Sequence, residues 1–304
     1  MANLTDMLDV RRLVLLREVH VRGSITAAAR ALSYTHSAVS QQLALLEKEA
    51  GVPLLEKVGR GIRLTPAAEE LVQHAGEILH VLERAEADLA ASDARVRGTL
   101  RLAAFSTISR YAIPQVVRTL GERHPALDVR FRQVEPEEGL LLLTSRRVDV
   151  LVADRYPGAG APVPDGLDSE DLVQDPIHAY LPATVGPPAE HTLDDLARVR
   201  WVLEPSGTES HQWGRRVCRE HGFDPDVAYE SDDLLFHLRM VEAGLAAALL
   251  PDLLVREAGA SIAPSPVLDL HQSRGISMIC RSGARRRPAI SACRDVFVEL
   301  LTAL

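Results

Sequence analysis

The run Gly23-Ser24-Ile25-Thr26-Ala27-Ala28-Ala29-Arg30-Ala31-Leu32-Ser33-Tyr34-Thr35-His36-Ser37-Ala38-Val39-Ser40-Gln41-Gln42-Leu43 decides how this chain is read. Gly23 ends an amphipathic segment from about Leu8 to Val21, where Leu13, Leu16 and His20 lie near one face and Val10, Val14 and Val21 beside it. Ser24 is placed to cap a short helix, Ile25 to Leu32, by accepting a hydrogen bond from a first-turn amide. The alanines of that helix let another backbone approach closely. Ser33-Tyr34-Thr35 makes a turn, and Thr35 caps a third helix from about His36 to Ala50. There Val39, Leu43, Leu46 and Ala50 recur at helical spacing as a core stripe, while His36, Ser37, Ser40 and Gln41 fall off it.

Working outward, Gly51-Val52-Pro53-Leu54-Leu55 leads into Glu56-Lys57-Val58-Gly59-Arg60-Gly61-Ile62-Arg63-Leu64-Thr65. Gly59 and Gly61 allow a tight turn between two short strands, and Arg60 and Arg63 put cations on that hairpin. Short polar groups near the start of the second helix of a helix-turn-helix can meet base edges and phosphates. A basic hairpin beside them can grip a backbone or enter a minor groove. The candidate DNA contacts are Ser24, Thr26, Thr35, His36, Ser37, Ser40, Gln41, Gln42, Arg60 and Arg63. A merely solvated polar face has the same composition, and that alternative stays open at this point.

The net charge of −8 over 304 residues is divided unevenly. Residues 1–65 hold nine Lys/Arg against six Asp/Glu, a local +3, and the remainder of the chain is acidic. Phosphate neutralisation is local, so a basic head on an acidic body is compatible with DNA binding. Hydrophobic residues at 46% and charged residues at 25% are those of a soluble globular protein. No export leader or membrane span is read, and three cysteines without a CxxC pair point to a reducing cytoplasm.

Thr65-Pro66 starts a helix, a capping hydroxyl followed by proline at the first helical position. Leu71, Ala75, Ile78, Leu82, Ala85 and Leu89 then make a heptad stripe running towards Asp93. The stripe fits either packing within one subunit or a two-chain coiled coil, and flanking charge on a long helix favours the second. Beyond residue 98 short apolar strands alternate with helical patterns, as in an α/β sheet. Strands are expected at Thr99–Phe105, Leu127–Val134, Val148–Ala153, Ile177–Pro182, Trp201–Glu204, Val227–Glu230, Ala246–Leu250 and Ile276–Arg281. A helix is expected from about Ser109 to His124, a helical segment near Glu137–Ser145, a surface connection over Pro157 to Gly166, and a closing helix Ala289–Ala303.

The head resembles the LysR-type transcriptional regulators. The resemblance is carried by Gly23 to Leu32, Ser37-Ala38-Val39-Ser40-Gln41-Gln42-Leu43, Leu46-Glu47, Gly51-Val52-Pro53-Leu54-Leu55 and Leu64-Thr65-Pro66-Ala67. Ile25 and Leu55 stand where the family commonly has Phe, and His36-Ser37 where it has Gln-Pro. The first two departures keep apolar volume, whereas the third changes base-reading chemistry and leaves the operator sequence open. The resemblance implies an α+β multidomain chain. Its parts are a winged helix-turn-helix over 1–65, a linker helix over 66–93, and a periplasmic-binding-protein-like effector domain over 94–304. That domain would divide into one subdomain of about 98–168 and 272–304 and another of about 169–271, with a small effector in the cleft between them. It also implies a homodimer through the linker, pairing into a homotetramer, a double-stranded operator, and RNA polymerase as a further partner.

Ligands of such sheets meet the carboxyl ends of strands. Ser106 and Thr107, Pro205, Ser206 and Thr208, and Ser231 and Asp232 follow strand ends and are the effector candidates, with Glu135 and Arg155. Each cluster is equally an ordinary helix cap. Glu204, Asp232, Asp233 and Arg155 suggest a mixed-charge cleft for an amphoteric or polar metabolite. No GxSxG, GxxxxGK[ST] or HExxH pattern appears, so neither an enzyme nor a cofactor is expected. Two rivals remain: a solute-binding module whose head serves oligomerisation, and a thiol switch at Cys218, which has Arg215, Arg216 and Arg219 nearby.

Overall fold

A computed structural model of the protein describes residues 7–32, 34–58, 61–92, 95–158, 163–268 and 270–302. The chain forms two compact units, one of Met1–Asp93 with Arg281–Arg287, the other of Ala94–Cys280 with Pro288–Leu304.

In the first unit three helices are set by their caps. Helix α1 (Val10–Arg22) starts where Asp9 accepts the Arg11 amide at 2.7 Å, and it ends at Gly23, whose φ of 68° suits a residue without a Cβ. Helix α2 (Ile25–Leu32) is capped by Ser24 through the Ala27 amide at 3.0 Å. Helix α3 (His36–Ala50) is capped by Thr35 through the Ala38 amide at 3.2 Å. Leu13, Leu16, Val19, Ala28, Val39, Leu43 and Leu46 close the core between them. Strands β1 (Leu55–Val58) and β2 (Gly61–Leu64) form an antiparallel hairpin. The Glu47 carboxylate pins its base to α3 by accepting the Leu54 and Leu55 amides at 2.8 and 3.0 Å.

Helix α4 (Pro66–Ala91) is capped by Thr65, has proline in its first turn, and is about 39 Å long at 1.5 Å per residue. Its buried line is Ala68, Ala75, Leu79, Glu83 and Ala87. Ile78, Val81, Leu82 and Leu89 stay exposed, so the single chain leaves uncovered most of the heptad stripe beyond Ala75. The return segment Arg281–Arg287 packs on α4. A Cβ on Gly283 would lie 2.6 Å from the His80 carbonyl oxygen and 2.8 Å from the Glu83 Cβ, so only glycine fits there. Beside it the buried Arg281 donates from Nε to Glu83 Oε1 at 2.5 Å.

The second unit is an α/β sheet. Strand β3 (Gly98–Ala104) is followed by α5 (Ser106–Tyr111) and α6 (Ile113–Arg123). The single helix expected over Ser109–His124 is thus broken at Ala112, two residues before Pro114, because proline disfavours helical geometry before it and lacks a backbone donor. Then come β4 (Leu127–Gln133), α7 (Pro136–Thr144), β5 (Val150–Arg155) and β6 (Leu167–Tyr180). The second half adds α8 (Leu193–Arg198), β7 (Arg200–Leu203), α9 (Glu209–Glu220), β8 (Asp226–Glu230), α10 (Leu234–Glu242), β9 (Ala248–Pro251) and α11 (Asp252–Glu257). Strand β10 (Ser273–Arg281) and helix α12 (Pro288–Thr302) finish it.

The six-stranded sheet has the order β4-β3-β5-β10-β6-β9, with β7-β8 as a separate parallel pair tied in by a bridge between Trp201 and Ala247. Strands β6 and β10 therefore run between a half built on β3, β4 and β5 and a half built on β7, β8 and β9. Strand β6 begins ten residues before the expected Ile177. Asp168, Glu170 and Asp171 hid the strand, because they break the apolar alternation a strand signal rests on. No helix among the described residues is long and apolar enough to cross a membrane.

Replacing Glu83 by Ala removes the acceptor of a buried guanidinium donor. Urea titration is expected to show a loss of about 3–5 kcal/mol, as for a broken buried ion pair, with Ile78→Ala on the exposed face costing far less.

Candidate functional site

The polar face of α3 stands clear of the core. His36, Ser37, Ser40 and Gln41 are exposed, while Val39, Leu43 and Leu46 are buried on the other side. Thr26 and Thr35 are exposed as well, and the Thr35 hydroxyl lies 3.1 Å from that of Ser37. Ser24 is half-buried and engaged as a cap. Gln42 departs from the expectation: it is half-buried, and its Oε1 accepts from Arg12 Nε at 3.0 Å, with Arg12 also paired to Glu49. One residue round the helix from Gln41, it has turned from the open face towards α1.

On the hairpin, Glu56 is directly opposite Arg63, and Arg63 Nε donates to Glu56 Oε1 at 2.6 Å. The cation expected at Arg63 is therefore matched within the hairpin. Lys57, which was not among the expected contacts, pairs in register with Ile62 and is exposed. Strand alternation places Lys57 and Arg63 on opposite faces, which is the signal that could have found it. Arg60 lies outside the described residues.

In the second unit Glu135, Glu204 and Asp232 come near one another at the carboxyl ends of β4, β7 and β8, whereas Ser106, Thr107, Pro205, Ser206, Thr208 and Ser231 share only a position after a strand end. Near Glu135 and Glu204 lies Arg274, fully buried at the start of β10. Its Nε and Nη2 donate to Asp175 Oδ2 at 2.9 and 2.8 Å, and its Nη1 donates to Asp154 Oδ2 at 3.0 Å. The guanidinium carbon is 5.1 Å from the centre of the Phe105 ring. Asp175 also accepts the Leu253 amide at 3.0 Å, so one cation holds β5, β6 and β10 with the start of α11. Thr107, on the first turn after β3, is fully buried, and its hydroxyl has no hydrogen-bond partner. Ser106 is half-buried beside it.

Glu135 ends the turn after β4, and Glu204 follows β7. Burial, then repulsion from Asp154, Glu137 and Asp232, raises Glu135 to about 7 despite partial relief from Arg274. Burial, then repulsion from Asp154 and Glu135, raises Glu204 to about 8, against relief from a hydrogen bond to Ser210 and from Arg274. Ser210 also bonds Tyr156, whose hydroxyl burial pushes up. Ser206 and Asp232 are exposed. The Thr208 hydroxyl is used locally, donating to the Pro205 carbonyl at 3.0 Å and accepting the His211 amide at 3.2 Å. Ser231 likewise accepts the Asp233 amide at 3.1 Å.

Arg155 is not with this group. It pairs in register with Gly275, one step from the Asp154–Ile276 pair, so alternation turns it to the sheet face opposite Asp154. There it borders a different groove of about 500 Å3 with Asp171, Gln174 and Ser277. The mixed-charge cleft expected from sequence is thereby corrected: its cation belongs to another face.

Two family descriptions match consecutive parts of the chain. "Bacterial regulatory helix-turn-helix protein, lysR family" covers residues 10–69, and "LysR substrate binding domain" covers residues 93–302. The chain belongs to the LysR family. Similar curated proteins include the transcriptional dual regulator GltC of Bacillus subtilis, 27% identical over 81% of each chain. The transcriptional regulator CfxR of Cupriavidus necator is 26% identical over 98% of this chain and 94% of its own. A full-length OxyR variant from Pseudomonas aeruginosa superposes with a TM-score of 0.64 at 20% identity, covering 96% of this chain and 95% of that one. Full-length CbnR complexed with its target DNA does so at 0.51 and 24%, covering 97% and 99%.

This LysR-family protein is accordingly a transcriptional regulator with a DNA-binding helix-turn-helix and an effector-binding domain, and not an enzyme. Another relative, from Streptomyces viridosporus, 28% identical over 85% of this chain and 83% of its own, is described as a probable hydrogen peroxide-inducible genes activator. The thiol-switch rival finds no support at Cys218. The residue is fully buried, burial pushes its thiol to about 12, and Arg215 and Arg219 are both spent on Asp224.

The raised Glu204 has a stability consequence. Its ionised form is disfavoured in the fold, so its cost is absent below the ordinary glutamate range, builds up as pH rises from there, and is complete above about 8. Glu204→Gln is therefore expected to stabilise by about 1–3 kcal/mol at pH 9 and much less at pH 5, measured by urea unfolding at both.

Proposed function

We propose that this regulator is a cytoplasmic homodimer, able to pair into a homotetramer, that binds an operator through α3 and the hairpin and changes its grip when a small effector occupies the cleft of the second unit. RNA polymerase would be its downstream partner. The boundaries proposed are 1–65 for the head, 66–93 for the linker and 94–304 for the effector domain. The observation that carries the DNA reading is the open polar face of α3, uncovered while the opposite stripe is buried. His36, Ser37, Ser40 and Gln41 would read bases, Thr26 and Thr35 would meet the backbone, and Lys57, Arg60 and Arg63 would act from the hairpin. Gln42 and Ser24 would position these helices. For the effector we propose Ser106, Thr107, Glu135, Glu204, Ser206 and Asp232. Thr208, Pro205 and Ser231 would shape the turns.

Gel-shift against genomic fragments at several salt concentrations tests this. Lys57→Ala and Arg60→Ala are expected to weaken all fragments alike and flatten the salt dependence by about one unit each. Ser40→Ala is expected to change the order of preference among fragments. Unaltered binding in all three would remove the α3 and hairpin assignment.

The exposed line Ile78, Leu82 and Leu89 supports dimerisation through α4, since apolar residues at this spacing call for an equal partner. Leu82→Asp is expected to leave a folded monomer in sedimentation velocity, with binding to a two-half-site fragment reduced by about a hundredfold.

A further inference from the structure

The carboxyl edge of the sheet carries acids that its cations leave unmatched: Arg110, on α5, is already shared by Asp233 at 3.8 Å and Glu257 at 3.6 Å. Glu135 comes from the half built on β3, β4 and β5, whereas Glu204 and Asp232 come from the half built on β7, β8 and β9. Each of these carboxylates is without an ion pair among the described residues, and Glu135 feels both Asp154 and Asp232. The guanidinium below them, Arg274, is shared by Asp154 and Asp175, two acids on one cation. Arg155 faces the other side of the sheet. His237, which faces Asp232 and Asp233, supplies no charge: burial lowers its pKa, and its Nε2–H donates to the Ser231 carbonyl at 2.8 Å. At the same carboxyl edge, the buried Thr107 hydroxyl lacks any partner, an unmet polar group of the kind a ligand completes.

We propose that the effector presents a positively charged nitrogen group, an ammonium or a guanidinium, to Glu135 and Glu204 from opposite walls of the cleft, with Thr107 as a neutral acceptor beside them. This rests on reading the cleft as the effector site. A cation there supplies the missing countercharge and makes charge-assisted hydrogen bonds to both walls, so it favours the closed arrangement over the open one.

The chemistry also fixes the sign of a proton count. Near neutral pH, Glu135, with Asp154, Glu137, Asp232 and Arg274 around it, is about half ionised. Glu204, with Asp154, Glu135, Ser210 and Arg274 around it, is mostly protonated. A bound cation draws both towards the carboxylate, so binding releases protons and strengthens as pH rises from 6.5 to 8.5. A carboxylate ligand would do the reverse, accepting hydrogen bonds from the protonated acids, taking up protons and binding better at low pH.

The test is calorimetric titration of the full-length protein at pH 7 in phosphate and in Tris, using putrescine and agmatine as cationic probes and succinate and benzoate as anionic ones. The expected result is binding of an amine probe with release of about one proton. Glu135→Gln and Glu204→Gln should each weaken it by about tenfold, and Thr107→Val by less. Both glutamine variants should melt no lower than the parent at pH 8, which shows that they fold. Binding of an anionic probe with proton uptake, and of neither amine, overturns the cation and leaves the cleft as effector site. Binding of no probe, or binding indifferent to all three substitutions, overturns the cation and the cleft reading together.

Discussion

Arg274 is the charge around which the second unit is arranged. Burying a guanidinium costs several kcal/mol unless each face of it finds an acceptor, and here Asp175 takes two of its donors and Asp154 a third. Those acids sit on β6 and β5, and Arg274 is on β10, so the electrostatic need of one side chain ties both strands that run between the halves of the sheet to a strand of the first half. The Leu253 amide, bonded to Asp175, brings the start of α11 under the same control. Burial, and then repulsion from Asp154, raises the pKa values of Glu135 and Glu204, and Arg274, with its donors committed in this way, relieves them only in part.

The first unit solves a different problem with different means. Among the described residues no buried cation sits between its first three helices; caps organise them. Asp9, Ser24, Thr35 and Thr65 each fix where a helix begins, and Gly23 and Gly51 fix where two of them end. With the ends fixed, the apolar stripes of α1, α2 and α3 have one way to meet, and the polar face of α3 is what remains outside. Glu47 extends the same logic to the hairpin, because two backbone amides at its base are satisfied by one carboxylate from α3. Opposite charge signs in the two parts of the chain reflect opposite tasks: a head with a local +3 suits phosphate, and a body holding the remaining acid excess does not.

How much of this was legible in the sequence depended on whether the signal was local. Capping residues and helical stripes are local, and the helices from Val10 to Ala91 lay within two or so residues of where periodicity put them. Strand faces are legible only if the strand is recognised. The acids of Leu167–Tyr180 concealed the start of β6, and Arg155 was assigned by nearness in sequence to a strand end when alternation turns it away. Gln42 shows the same error on a helix, where one residue is a rotation of about 100° and enough to move a side chain from the open face to Arg12. Long-range pairs were not legible at all. Nothing near Glu83 announces Arg281, 198 positions later, and nothing near Asp154 announces Arg274.

Helix α4 shows why those long-range pairs matter to the reading of a stripe. Periodicity alone supplied one apolar line and could not say which neighbour it served. In the fold the helix is divided by face, and the side chains differ accordingly. The buried line is mostly small, Ala68, Ala75 and Ala87, with Glu83 held by Arg281 and with Gly283 against the His80 carbonyl, where backbones approach too closely for anything larger. The exposed line is large and branched, Ile78, Val81, Leu82 and Leu89. Small residues on one face and large apolar ones on the other are what a helix needs if it is to hold its own chain by close backbone contact and a second chain by interdigitated side chains. The segment on its small-residue face, Arg281–Arg287, follows β10 directly in the chain, so a close backbone contact made far along the sequence, and not the helix's own periodicity, decides which face of α4 is small.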